Sequence, residues 1–177
     1  MTSHAVAQQP SLSSVSSSSG APRVRSLVRR ALATAADPAA TLARLSLGAL
    51  IFPHGAQHAL GWFGGYGFSG THGWMTKTLG FPAPLAALAI LTELVAPIAL
   101  LAGLAGRAAA LGIIGIMLGA ISTHTPNGFF MNWFGNQAGE GYEYHLLVLG
   151  MVAALLAGGG GRASVDRAIS RALGSPS

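Results

Sequence analysis

The sequence predicts an all-α fold, a bundle of four transmembrane helices with short amphipathic helices at both ends, and three observations carry that prediction. Of 177 residues, 51% are hydrophobic and only 8% are charged, whereas a soluble domain carries roughly a quarter charged residues. Four apolar runs, at 39–60, 84–104, 108–124 and 142–158, reach about 25–33 Å as helices, close to the roughly 30 Å of a hydrocarbon core. None of them alternates as a strand does. Backbone polar groups in lipid must be satisfied within their own segment, which leaves helices.

Composition also excludes several classes of protein. The chain has no Cys, so disulfide frameworks, Cys-ligated zinc or iron–sulfur clusters and thiol redox centres are ruled out. The formal charge of +5 does not point to nucleic acid. Lys77 is the single lysine among the ten Lys and Arg, and the arginines flank apolar segments without interleaved aromatics, the pattern of membrane orientation.

Taken in order, residues 1–22 are rich in Ser, Ala and Gln without hydrophobic periodicity, and a disordered tail is expected there. Residues 23–38 form a basic amphipathic segment. Its Val24, Leu27, Val28, Ala31 and Leu32 share one face and Arg25, Arg29 and Arg30 the other, which suits an anionic membrane surface. The apolar run behind Arg29-Arg30 is too short for a signal-peptide core. The membrane domain is expected at 39–161. Pro53 and Pro97 kink its first and second crossings, Gly115 and Gly119 form a GxxxG suited to close helix contact on the third, and the glycines at 158–161 end the fourth. Residues 162–177 repeat the amphipathic arrangement, with Val165, Ala168, Ile169, Ala172 and Leu173 opposite Arg167 and Arg171 and with Ser164 as N-cap.

Arginine placement sets the orientation. Arg23, Arg25, Arg29, Arg30 and Arg44 precede or open the first crossing, Arg107 lies between the second and third, and Arg162, Arg167 and Arg171 follow the fourth. The long loops 61–83 and 125–141 hold one Lys and no Arg. The positive-inside rule then places both termini in the cytoplasm and both long loops outside, in a bacterial cytoplasmic membrane.

Counting depth along the helices finds the candidate site. From Arg44, His54, Gln57 and His58 lie about 15–21 Å outward, and Glu93 lies about 13 Å inward from the start of the second crossing, near the midplane. His124 ends the third crossing at its outer side and His145 opens the fourth. An ionisable group at the depth of Glu93 costs about 3 kcal/mol to insert and faces the protein interior. Ala86, Ala89, Ala96 and Pro97 supply a small-residue face around it. Glu93, His54 and His58 are therefore the candidate proton relay, and Gln57, His124, Asn127, Asn132, Glu140 and His145 the candidate ligand-binding groups of an outward-opening polar pocket. Metal is disfavoured, because no HExxH or carboxylate–His spacing supports it, and bis-His haem more so. Glu143 suits the positive end of the fourth helix, two residues from His145 and on another face. The literal GxGxxG at 65–70 follows a membrane helix rather than a strand, so it does not mark a dinucleotide site. Trp62, Phe63, Tyr66, Phe68 and Trp74 around it read as an interfacial aromatic belt.

The segments GALIFPHGAQHALGWFGGYGFSGT, LGFPAPLAALAILTELVAPIALLAGLAGRAAAL and STHTPNGFFMNWFGNQAGEGYEYHLL together resemble the DoxX family of bacterial membrane proteins, over about 42–170. The resemblance implies a four-helix integral membrane protein associated with quinone-linked oxidoreductase systems. The family usually has Lys where this chain has His58, which offers a titratable cation in its place. The expected function is that of a subunit or accessory of such a system, with a quinone as the cofactor class and the lipid bilayer and redox enzymes as partners. Two alternatives use the same residues differently: a small-molecule or proton transport route, or a non-catalytic scaffold that recruits soluble redox enzymes through its Arg-rich ends.

Overall fold

The structure is a computed structural model that describes residues 32 and 34–172; the expected tail at 1–22, most of the amphipathic segment at 23–38, and Leu173 lie outside the described residues. Among these residues the fold is all-helical. Its helices are α1 (Pro38–Leu60), α2 (Gly67–Lys77), α3 (Ala83–Ala102), α4 (Gly106–His124), α5 (Glu143–Gly158) and α6 (Val165–Ala172), with single 3-10 turns at Trp62–Gly64 and Thr125–Asn127.

Local chemistry explains the ends. Asp37 caps α1 by accepting from the Ala39 amide at 2.9 Å, Pro38 occupies the first turn, and Gly61 closes the helix at φ 75°. Helices α1, α3, α4 and α5 pack as a ring, each against the next, with α1 and α3 the most extensive pair. Their inward side chains form one core: Leu47 and Ile51 from α1, Ala96 and Leu100 from α3, Ala110, Ile113 and Met117 from α4, and Val148, Val152 and Leu155 from α5.

The outward faces are also apolar, with Leu42, Leu50, Leu88, Val95, Leu111, Leu118 and Leu147 exposed. That is the surface of a body solvated by lipid rather than water. Among the described residues two helices are long and apolar enough to cross a membrane: α3, with mean hydropathy 2.3, and α4 with its following turn, with 1.6. Helix α5 is apolar but has only 16 residues. Helix α1 has 23 residues, interrupted by Arg44, His54, Gln57 and His58.

The structure departs from the sequence expectation in three places. The segment 61–83, expected as a loop, contains α2, whose Thr71 is buried where α2 packs on α1 and α3. Its three glycines lower intrinsic helix propensity, and tertiary packing overrides them. The GxxxG of α4 makes no close contact: a side chain added at Gly115 or Gly119 would meet nothing within 4 Å. The close approach belongs to α1, where a Cβ on Gly48 would sit 2.7 Å from Leu101 Cγ and one on Gly55 would run into the Glu93 carbonyl. Finally, α6 turns its polar side inward. Asp166 and Ser170 are buried, while Val165 and Ile169 are exposed.

That inward face is an anchor. The Asp166 carboxylate accepts from the amides of Ala105 at 2.7 Å and Gly106 at 2.8 Å, and so caps α4 from 61 residues away in sequence. Arg44, 1% exposed, donates to the carbonyls of Leu100 and Leu101 at the end of α3 and, at 2.6 Å, to Ala163 before α6. Ser164 accepts from the Arg167 amide at 3.3 Å, the expected N-cap. Replacing Asp166 by Ala leaves two amides at the start of α4 without a partner, and should lower stability in detergent by about 1–2 kcal/mol. Thermal unfolding of the purified chain measures this, and an unchanged transition would remove Asp166 from the anchor.

Candidate functional site

Helices α1 and α3 bring His58 and Glu93 together. The imidazole Nδ1 of His58 lies 2.6 Å from Oε2 of Glu93, with the two side chains 39% and 14% exposed. The contact exists because Gly55, one turn earlier on α1, has no side chain. A Cβ there would lie 2.7 Å from Leu94 Cα, so the helix backbones can touch just where the carboxylate emerges. At 2.6 Å this is the geometry of a strong, charge-assisted hydrogen bond. One nitrogen of the ring is engaged by Glu93, and the other, Nε2, has no protein partner among the described residues.

His54 stands apart from this pair. It is exposed and makes no hydrogen bond or ion pair among the described residues. Around α1, His58 lies about 60° from the direction of Gly55 and His54 about 100°, so only the later histidine reaches across to α3.

A second pair forms at the ends of α4 and α5. The rings of His124 and His145 have centroids 4.8 Å apart, tilted by 46°. His124 Nδ1 lies 2.8 Å from the Ala120 carbonyl, whereas the buried Nδ1 of His145 has no hydrogen-bond partner among the described residues. Among the described residues no three His, Asp or Glu side chains converge as a metal site. The four candidate histidines and Glu93 are thus two pairs and one outlying ring rather than one cluster.

The remaining candidates hold loops. Gln57 Nε2 donates to the Phe63 carbonyl at 3.3 Å. Asn127 Nδ2 donates to the Glu140 carbonyl at 3.0 Å, and the Glu140 carboxylate accepts from the Asn132 amide at 2.7 Å. The Asn132 side chain accepts in turn from the Gln137 amide at 3.0 Å. Glu143 opens α5, as its position suggested, and accepts from Trp133 Nε1 at 3.0 Å. The GxGxxG stretch is a tight turn into α2: a Cβ on Gly65 would run into the Gln57 backbone, and Gly67 has φ 65°.

Sequence reasoning missed Arg44 and Asp166. Arg44 stands inside an apolar run, a signal beyond its sign. The depth argument applied to Glu93 applies to it equally, because a cation among apolar residues needs acceptors.

Residues 39–126, from the first turn of α1 to the turn after α4, match the family model described as DoxX. No curated protein and no solved structure matches the chain. His58 and Glu93 lie within the matched range, and His145 lies beyond it.

Proposed function

This chain belongs to the DoxX family through residues 39–126 and is a membrane protein, and from that premise we propose that it crosses the bacterial cytoplasmic membrane four times as an accessory of a quinone-linked oxidoreductase system. Helices α1 and α5 complete a ring with α3 and α4 and carry leucines on their outer sides, which supports four crossings. The arginines at 44, 107 and 162–171 all belong to the end of the ring opposite His58, His124 and His145, which supports cytoplasmic termini.

The observation that carries the functional proposal is the contact of His58 with Glu93. Ionisable groups within apolar helices are costly to insert and mark proton or ligand sites. The residues suit a quinone ring: among the described residues His58 keeps Nε2 open for a carbonyl oxygen, and Phe52 of α1 and Trp62 of the turn that follows α1 pack edge to face at 6.5 Å. A bound quinone supplies two-electron, two-proton chemistry. His58 orients its carbonyl through Nε2 and exchanges the proton on Nδ1 with Glu93 Oε2, so that a proton arriving at one nitrogen leaves by the other.

Glu93→Gln keeps the size of the side chain and removes the proton acceptor. Membranes carrying this variant should lose about a hundredfold of their activity with a short-chain ubiquinone analogue, at an unchanged level of the protein. Unchanged activity would remove the relay.

A further inference from the structure

At the opposite end of the bundle a groove of about 390 Å³ opens between the end of α3 and the face of α6. Three arginines line it, Arg162, Arg167 and Arg171, together with Ala102, Val165 and Ala168. None of the three makes a side-chain hydrogen bond or ion pair among the described residues.

Nearby charges are already committed elsewhere. Asp166, the one acid on α6, is turned inward onto the amides of Ala105 and Gly106. The α3 carbonyls of Leu100 and Leu101 are occupied by Arg44. The groove is therefore a concentrated positive site with no anion among the described residues to neutralise it.

Its position gives the source of the anion. Ala102 is the last residue of α3, a helix long and apolar enough to cross a membrane, so the groove lies at a membrane boundary. Beside it, α6 leaves Val165 and Ile169 42% and 37% exposed, an apolar face for acyl chains next to cations for a headgroup.

We propose that the groove formed by Arg162, Arg167 and Arg171 at the end of α3 binds the phosphate of an anionic glycerophospholipid headgroup. Guanidinium groups grip phosphate oxygens in pairs, and the methyl groups of Ala102, Val165 and Ala168 accept the glycerol and upper acyl carbons. The site rests on membrane residence alone and is independent of any redox role.

The test uses the full chain in bilayers of roughly four parts phosphatidylcholine to one part phosphatidylglycerol, extracted gently and read by native mass spectrometry for retained lipid. The wild-type chain should retain phosphatidylglycerol. The triple variant Arg162→Gln, Arg167→Gln, Arg171→Gln should lose about a hundredfold in relative affinity, with its thermal transition unchanged because these side chains are outside the anchor. The corresponding triple Lys variant should fall between the two, since it keeps charge without the paired donors. Equal retention by the Gln variant would overturn the proposal. So would equal loss on replacing Arg23, Arg25, Arg29 and Arg30 by Gln, which would make the effect one of diffuse charge. Displacement of the lipid by millimolar inorganic phosphate would assign the groove to a soluble anion instead.

Discussion

Gly55→Ala should destabilise the protein by about 3 kcal/mol and abolish the contact between His58 and Glu93. The added methyl group would run into the Glu93 carbonyl and lie 2.7 Å from Leu94 Cα. Both obstacles are backbone in the middle of a helix, so neither can rotate aside as a side chain could, and α1 must move away from α3. Because α1 and α3 are the most extensively packed pair, the displacement costs core contacts as well as the hydrogen bond. The same substitution at Gly115, where an added Cβ meets nothing within 4 Å, should be neutral or should gain up to about 1 kcal/mol from helix propensity. Thermal unfolding of both variants in one detergent compares them. Equal transitions would mean that the helices do not approach closely at Gly55.

Arg44→Leu should be comparably damaging, at about 3 kcal/mol. Leu fills much of the space but leaves the carbonyls of Leu101 and Ala163 without their donor and that of Leu100 with the Gly103 amide alone, and an acceptor shielded from water without a partner bears its desolvation cost. Arg44→Lys should recover only part of the loss, because one ammonium cannot reach three carbonyls in the geometry of a planar fork. Since Ala163 precedes α6, proteolysis between residues 161 and 172 should accelerate in Arg44→Leu. A cleavage rate there equal to that of the wild type would show that Arg44 does not hold the C-terminal helix.

The parts of this protein legible from sequence are those set by distance along the chain. The limits of the four long apolar segments follow from hydrophobic runs and capping residues, and a constant rise per residue places Glu93 and His58 in one part of the bundle. Features set by contacts between distant residues were not legible. Asp166 caps α4 from 61 residues away and Arg44 caps α3 from 56: no local pattern announces Asp166, and the apolar run around Arg44 says that it needs acceptors but not which ones. The glycines illustrate the same limit: GxxxG on α4 has the spacing of a contact motif but faces open space, whereas Gly48 and Gly55 on α1, without that spacing, lie against α3. Asn127, Asn132 and Glu140 resembled binding groups because they are polar and lie beside a candidate site, yet their hydrogen bonds run to one another or to nearby backbone in the loop.

The pairing of His58 with Glu93 is most directly tested by infrared spectroscopy of the full chain in lipid, with the Glu93 carboxyl band identified by its disappearance in Glu93→Gln. His58→Leu should shift that band, because the carboxyl group loses its 2.6 Å partner, while His54→Leu should leave it in place. A Glu93 band that is indifferent to His58, or that responds equally to both substitutions, would contradict the pairing.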